Sequence, residues 1–334
     1  MWIEDILGPG FEQLTLELGE DDEGPLVATL VRHLPDKRDW FERAFQDPRP
    51  LDNTDVLYVH GWNDYFFQAP LAQFFAARGA RFYALDLRKY GRSLRDGQSP
   101  GYITDLEDYD LEIGLALKEM RRAPGGSRRK LLLMGHSTGG LVLSLWANRH
   151  RGVADGVILN APWVALQVAG QVARAALSTI VSWSAAVNPL RTSPQFDFGF
   201  YSRAQQLCRQ PEDTHEINEH WRPERSHPVR SAWLNAIITG HRAVNERLHI
   251  DAPILTLLSL RSELPLAWSE DLTRADTVLE VEETAYAVTK LGPSVTLERI
   301  DNALHDVFLS RKDARAEAYR RLDLWLAGWA ETQN

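Results

Sequence analysis

Six short apolar runs punctuate the chain from Asp55 onward, with helical periodicity between them: Val56–Val59, Arg81–Leu87, Lys130–Met134, Gly156–Leu159, Pro253–Leu260 and Val295–Ile300. Runs this short and this continuously apolar suit strands covered by helices on both faces, and strand–helix alternation predicts a parallel sheet. Ahead of them, Phe11–Leu18 and Leu26–Leu34 flank the polar Gly19-Glu20-Asp21-Asp22-Glu23-Gly24 turn, which suits an antiparallel pair at a sheet edge. The expected fold class is α/β, with a mostly parallel, doubly wound sheet.

Two amphipathic helices are predicted to pack on that sheet. One carries Leu106, Tyr109, Ile113, Leu117 and Met120, the other Tyr319, Leu322, Leu326 and Trp329, at three- and four-residue spacing. The alternation breaks between Ala161 and about Ile250, where helical pattern and aromatic clusters occur without a good strand. We read this stretch as a mainly helical cap, so that residues 1–160 and 251–334 form the core and 161–250 the insertion. A chain of 334 residues, long against the usual domain of about 100–200, leaves room for such an insertion.

Composition narrows the function. A net charge of −9 argues against a nucleic-acid partner, which needs clustered Lys and Arg. No stretch approaches the ~20 apolar residues of a bilayer span, so no integral membrane association is expected. The acidic start, Met1-Trp2-Ile3-Glu4-Asp5, is unlike a basic secretory leader, and the reading is a cytoplasmic protein. Cys208 is the only cysteine, so an intramolecular disulfide is impossible. His215 and His220 look superficially like zinc-protease ligands, but five residues turn a helix by about 500°, leaving the rings ~140° apart. No glycine-rich dinucleotide or P-loop pattern follows a strand. No metal and no cofactor are expected, and a monomer and a homodimer are equally compatible with the sequence.

The chemistry centres on Gly135-His136-Ser137-Thr138-Gly139, which lies between the buried run Leu131-Leu132-Leu133-Met134 and a helix-forming stretch starting at Gly140. A strand-to-helix turn this tight strains the serine backbone and demands small neighbours, which Gly135, Gly139 and Gly140 supply. A serine hydroxyl needs an imidazole to take its proton and a carboxylate to hold that imidazole. In a doubly wound sheet these groups meet at the carboxyl ends of strands. His305, after Val295–Ile300, is the best-placed base, whereas His136 lies inside the turn with its ring expected to point away from Ser137. After Pro253–Leu260, Glu263, Glu270, Asp271 and Asp276 are candidate acids, Asp276 being preferred for its mixed polar and apolar setting. Oxyanion donors are expected from the N–H groups of Thr138 and of Trp62, the latter in His60-Gly61-Trp62-Asn63, where Gly61 allows close approach. His60, Gly61, His136 and Trp163 are expected around the substrate. Asp86 and Arg88, in the run Asp86–Ser93, are expected to hydrogen-bond loops, and Gly91 to permit a turn.

The order of these parts resembles the α/β-hydrolase superfamily, and within it the capped lysophospholipase and monoacylglycerol-lipase-like group filed with the serine aminopeptidases. The resemblance rests on His60-Gly61-Trp62, Asp86 to Ser93, Gly135 to Gly140, Asn160-Ala161-Pro162-Trp163, Asp276-Thr277-Val278 and His305-Asp306. It implies the chain order serine, acid, histidine, and it supports Asp276, which stands before the apolar pair Val278-Leu279 as the acid commonly does in that group. The implied function is hydrolysis of a small-molecule carboxylic ester through an acyl-enzyme. Acyl transfer or amide cleavage by the same triad, and a non-catalytic binding protein, are the alternatives. Trp163, Trp183, Phe196, Phe198, Phe200, Tyr201, Trp221 and Trp233 supply enough aromatic surface either to line an apolar tunnel or to form the cap's own core. We take the acyl group to be apolar. The segment Val164–Val187 is expected to be a helix packed on protein.

Overall fold

The computed structural model describes residues 1–35, 49–122, 129–166, 171–193, 197–264 and 266–332. One nine-stranded sheet organises it: β1 (Ile3–Glu4), β2 (Phe11–Asp21), β3 (Gly24–His33), β4 (Thr54–Val59), β5 (Arg81–Asp86), β6 (Lys130–His136), β7 (Gly156–Asn160), β8 (Ile254–Ser259) and β9 (Val295–Ile300). The spatial order is β1-β2-β3-β5-β4-β6-β7-β8-β9. Strands β4 to β9 pair in parallel, and β1, β2 and β3 extend one side through antiparallel pairings. All six apolar runs are strands of this sheet.

The residues alternate between two cores, as a pleat with period two requires. Leu57, Val59, Leu131, Leu133, Val157 and Leu159 face the layer holding α2 (Tyr109–Arg121), α3 (Thr138–Arg149), α6 (Ser231–Glu246) and α7 (Val281–Val288). Val56, Tyr58, Leu132, Met134 and Ile158 face α1 (Ala69–Ala77) and α8 (Lys312–Thr332). Both amphipathic patterns are therefore helices with their apolar stripes on the sheet.

The early hairpin differs from expectation in one respect. The polar stretch between Gly19 and Gly24 is mostly strand: β2 continues to Asp21 and β3 starts at Gly24. The buried Lys89 ammonium draws these carboxylates in, at 2.6 Å from Asp21 and 2.5 Å from Glu23. At the other end of the ribbon, Asp5 binds Arg92 at 2.7 and 2.9 Å. Arg92 also reaches Asp86 at 2.8 Å, and Asp86 accepts the Phe66 N–H at 2.9 Å. Arg88 pairs with buried Glu112. The loop-holding roles read for Asp86 and Arg88 are thus what the contacts display, and Gly91 turns at φ +47° where a Cβ would strike Tyr65.

Between β7 and β8 lie α4 (Gln171–Val187), α5 (Phe200–Cys208) and α6. Helix α4 packs on α6, with Ser182 donating to Asn235 at 2.8 Å and Ser184 within 3.0 Å of Ser231. Its outer side leaves Ile180, Trp183 and Val187 exposed. No helix among the described residues is long and apolar enough to cross a membrane.

Candidate active site

The turn from β6 into α3 forces Ser137 to φ +49°, ψ −117°, a conformation disfavoured for a residue with a Cβ. Crowding explains the glycines around it. A Cβ on Gly135 would lie 2.6 Å from the Gly139 carbonyl oxygen, and one on Gly139 would lie 2.3 Å from the carbonyl oxygens of Val59 and His60. Ser137 occupies the N-cap position of α3, yet its hydroxyl makes no capping hydrogen bond. The side chain is therefore spared from the structural job that usually places serine there.

His305 follows β9 and is buried, with Nδ1 2.8 Å from Asp276 Oδ2. The other oxygen of Asp276 accepts the N–H groups of Val278 and Leu279, both at 2.8 Å. Those two bonds aim the carboxylate and fix Nδ1 as the protonated nitrogen, since a carboxylate only accepts. Nε2 of His305 is buried and without a partner among the described residues. The long loop before Asp276 does not displace it, because a parallel bridge between Ser262 and Asp276 folds the loop back against the end of β8. Of the other candidate acids, Glu263 pairs with Arg261 at 2.6 Å at the surface and Glu270 lies 3.4 Å from Arg311, mostly exposed. Asp271 is exposed.

Ser137, Thr138, Trp62, His136, Trp163 and His305 open onto one cavity of about 550 Å³. Gly61 abuts the serine from below the loop, where a Cβ would come within 3.0 Å of Ser137 Cβ. The N–H groups of Trp62 and Thr138 have no protein acceptor among the described residues. Trp163 lines the wall and donates its N–H to the Ser137 carbonyl at 2.9 Å.

Two histidines depart from expectation. His60 does not line the cavity: it donates from Nδ1 to the Gly61 carbonyl at 2.8 Å and accepts the Leu87 N–H at Nε2, 3.1 Å, so it braces the loop. Burial lowers its pKa and keeps it neutral, as that pair of bonds demands. His136, expected to point away from Ser137, lines the cavity onto which Ser137 opens. The ring lies 4.9 Å from that of His305 and 3.1 Å from the Asn160 carbonyl, and burial lowers its pKa too.

Several contributors lie outside the expected site residues. Asn160, at the end of β7, accepts the Ser137 N–H at 3.0 Å with its carbonyl and donates from Nδ2 to Asp306 Oδ1 at 2.7 Å. Gln68 also donates to Asp306. Tyr201 of α5 sets its ring edge-on to His305 at 5.5 Å and accepts the Asp306 N–H at 3.1 Å. Of the aromatic residues between 161 and 250, Trp163, Phe198, Phe200, Tyr201 and Trp233 line the cavity. Trp221 packs instead on Tyr65, Trp183 faces outward, and Phe196 lies outside the described residues.

The Hydrolase_4 family, described as serine aminopeptidase, S33, matches residues 53–312. Among curated proteins, an epoxide hydrolase 3 of Xenopus tropicalis is 38% identical over 114 residues, 33% of this chain and 28% of that protein. A monoacylglycerol lipase of Mycolicibacterium smegmatis is 30% identical over 123 residues, 35% of this chain and 39% of that protein. Both matches thus span well under half of the relative's length. Among solved structures, the monoacylglycerol lipase of Paleococcus ferrophilus superposes with a TM-score of 0.60 at 19% identity, covering 82% of this chain and 94% of that one. A soluble variant of the monoglyceride lipase of Saccharomyces cerevisiae gives 0.62 at 14% identity, covering 95% and 96%. A thermostable carboxyl esterase of Bacillus coagulans also gives 0.62 at 14%, covering 97% and 100%. These likenesses establish a shared fold.

Proposed function

The chain belongs to the Hydrolase_4 family of α/β hydrolases, and from that membership we propose that it is a serine hydrolase cleaving a carboxylic ester with an apolar, lipid-like acyl group. The observation that carries the reading is the state of His305: Nδ1 is committed to Asp276 at 2.8 Å, while the bare Nε2 is buried in the cavity that Ser137 shares.

In this reading Ser137 Oγ attacks the ester carbonyl carbon as its proton passes to His305 Nε2, and Asp276 stabilises the imidazolium. The N–H groups of Trp62 and Thr138 receive the developing oxyanion. Collapse breaks the bond to the alkoxy oxygen, which leaves as the alcohol with the proton from His305. Water, deprotonated by the same imidazole, then releases the carboxylic acid and restores the serine. The apolar preference is supported by the wall of Trp163, Phe198, Phe200, Trp233, Leu264 and Val278. The likeness to lipases and esterases favours an ester over an amide.

The test is labelling by a fluorophosphonate probe together with turnover of aryl esters, monoacylglycerols and lysophospholipids. Wild type should label and Ser137→Ala should not. Labelling that survives in Ser137→Ala overturns the assignment, and a preference for short polar esters across a chain-length series overturns the apolar acyl site.

A further inference from the structure

Beyond Trp62, the loop after β4 continues through Asn63, Asp64 and Tyr65, and all three dock on one stretch, residues 215–227 between α5 and α6. Asn63, held at φ +54°, donates to the Pro223 carbonyl at 3.2 Å and accepts the His227 N–H at 3.0 Å. Asp64 pairs with Arg222 at 2.8 Å, each less than a tenth exposed. Tyr65 accepts the Asn218 N–H at 2.9 Å and meets Trp221 edge-to-face at 5.2 Å. Arg222 is itself held by Gln205 of α5, its Nη2 donating at 2.5 Å. Asp64 and Arg222 both line the cavity that contains Ser137.

A donor that stabilises an oxyanion works only when it is fixed in place before the charge develops. The Trp62 N–H lies two residues from Asp64 in a loop whose next three side chains find their partners in the insertion. We propose that Asp64 and Arg222 are a positioning pair through which residues 215–227 set the Trp62 N–H, so that the insertion serves transition-state stabilisation as well as covering the substrate. The proposal rests on the serine-hydrolase reading above. Neither side chain takes part in bond making. Burial raises the pKa of Asp64 and Arg222 opposes that rise, so the partner is what keeps a charged carboxylate there.

The experiment compares Asp64→Asn, Arg222→Met and the double variant Asp64→Asn/Arg222→Met. Turnover is expressed per fluorophosphonate-titrated site, and KM and the inhibition constant of an aryl boronic acid, which forms a tetrahedral adduct on serine, are measured alongside. Each single variant should lose about 10- to 100-fold in kcat with KM changed less than about threefold, and the boronic acid should weaken in step. The double variant should be no worse than the poorer single, because the two residues act as one unit. If Arg222→Met does not fold, Arg222→Lys, which keeps the charge and loses the Gln205 contact, should show the same split at smaller size. Turnover per site within twofold of wild type overturns the proposal, and so does a loss confined to KM or one in which the two singles add. Ser137→Ala separates the two levels: if it is inert while the pair variants turn over normally, only the positioning role fails, and if it stays active both readings fall.

Discussion

Asn160 and Asp306 are joined by a 2.7 Å hydrogen bond between two fully buried side chains, and through it the serine turn and the histidine loop share one support. The Asn160 carbonyl carries Ser137 at 3.0 Å, while its side-chain oxygen accepts the Val307 N–H at 3.2 Å, two residues past His305.

Asn160→Ala should therefore cost stability and rate together. It strands the buried Val307 N–H, worth about 1–3 kcal/mol, and takes one donor from Asp306 Oδ1, which keeps the Phe308 N–H at 3.0 Å, with melting falling about 2–4 °C per kcal/mol. Asn160→Asp should be worse, since it sets a second buried carboxylate against Asp306. Calorimetry and ester turnover on the two variants check the order; equal melting points in both and wild type would contradict it.

Asp276→Asn keeps the shape of the side chain but can offer an amide N–H to Nδ1, which favours the wrong tautomer of His305. Turnover should fall on the order of 10⁴-fold. Far-ultraviolet circular dichroism should be unchanged, because an Asn oxygen can still accept the Val278 and Leu279 N–H groups. A loss below about tenfold would mean that another group orients the imidazole.

Gly61→Ala places a methyl 3.0 Å from Ser137 Cβ and 3.4 Å from the His136 ring. The serine cannot retreat, as its N–H and carbonyl are bound at 3.0 and 2.9 Å by Asn160 and Trp163. The loop bearing Trp62 must shift instead, and kcat should drop about 10²-fold, the usual cost of a displacement near 1 Å. Steady-state kinetics with a short aryl ester isolates this from effects on chain binding.

Acid stability should depend on His241. Its Nε2–H donates to the Trp163 carbonyl at 2.8 Å, Nδ1 is buried without a partner among the described residues, and burial lowers its pKa from 6.5 to about 4. The unfolded chain takes up this proton below about pH 6.5 while the folded protein resists until about 4. The contribution is thus complete above 6.5 and is lost as pH falls through that window, about 3 kcal/mol in all. His241→Gln should flatten this part of the stability profile in urea titrations between about pH 7 and 4.5; an unchanged slope would assign the loss to another group.

Much of this arrangement was legible in the sequence because it is local. Six continuous apolar runs are strands since both sheet faces are covered, and the Ser137 turn announces itself by glycines that no other residue could replace there. The preference for Asp276 rested on its setting and on resemblance, and its bond to His305 agrees. What escaped was non-local. Asp64–Arg222, Tyr201 against His305 and Asn160–Asp306 join residues 104 to 158 positions apart, with no spacing rule to betray them. His60 differs from expectation because a histidine before a glycine at a strand end looks the same whether it meets substrate or bonds back to its own loop.

The salt link between Asp5 and Arg92 gives the opening ten residues a weight out of proportion to their length. Removing residues 1–10 would leave a buried guanidinium with Asp86 as its one counter-ion among the described residues, a change of the kind that costs about 3–5 kcal/mol. Asp86 would then be pulled between that cation and the Phe66 N–H, so the damage would travel to the loop beside Ser137. A fusion tag at this end is harmless only if it leaves Asp5 docked.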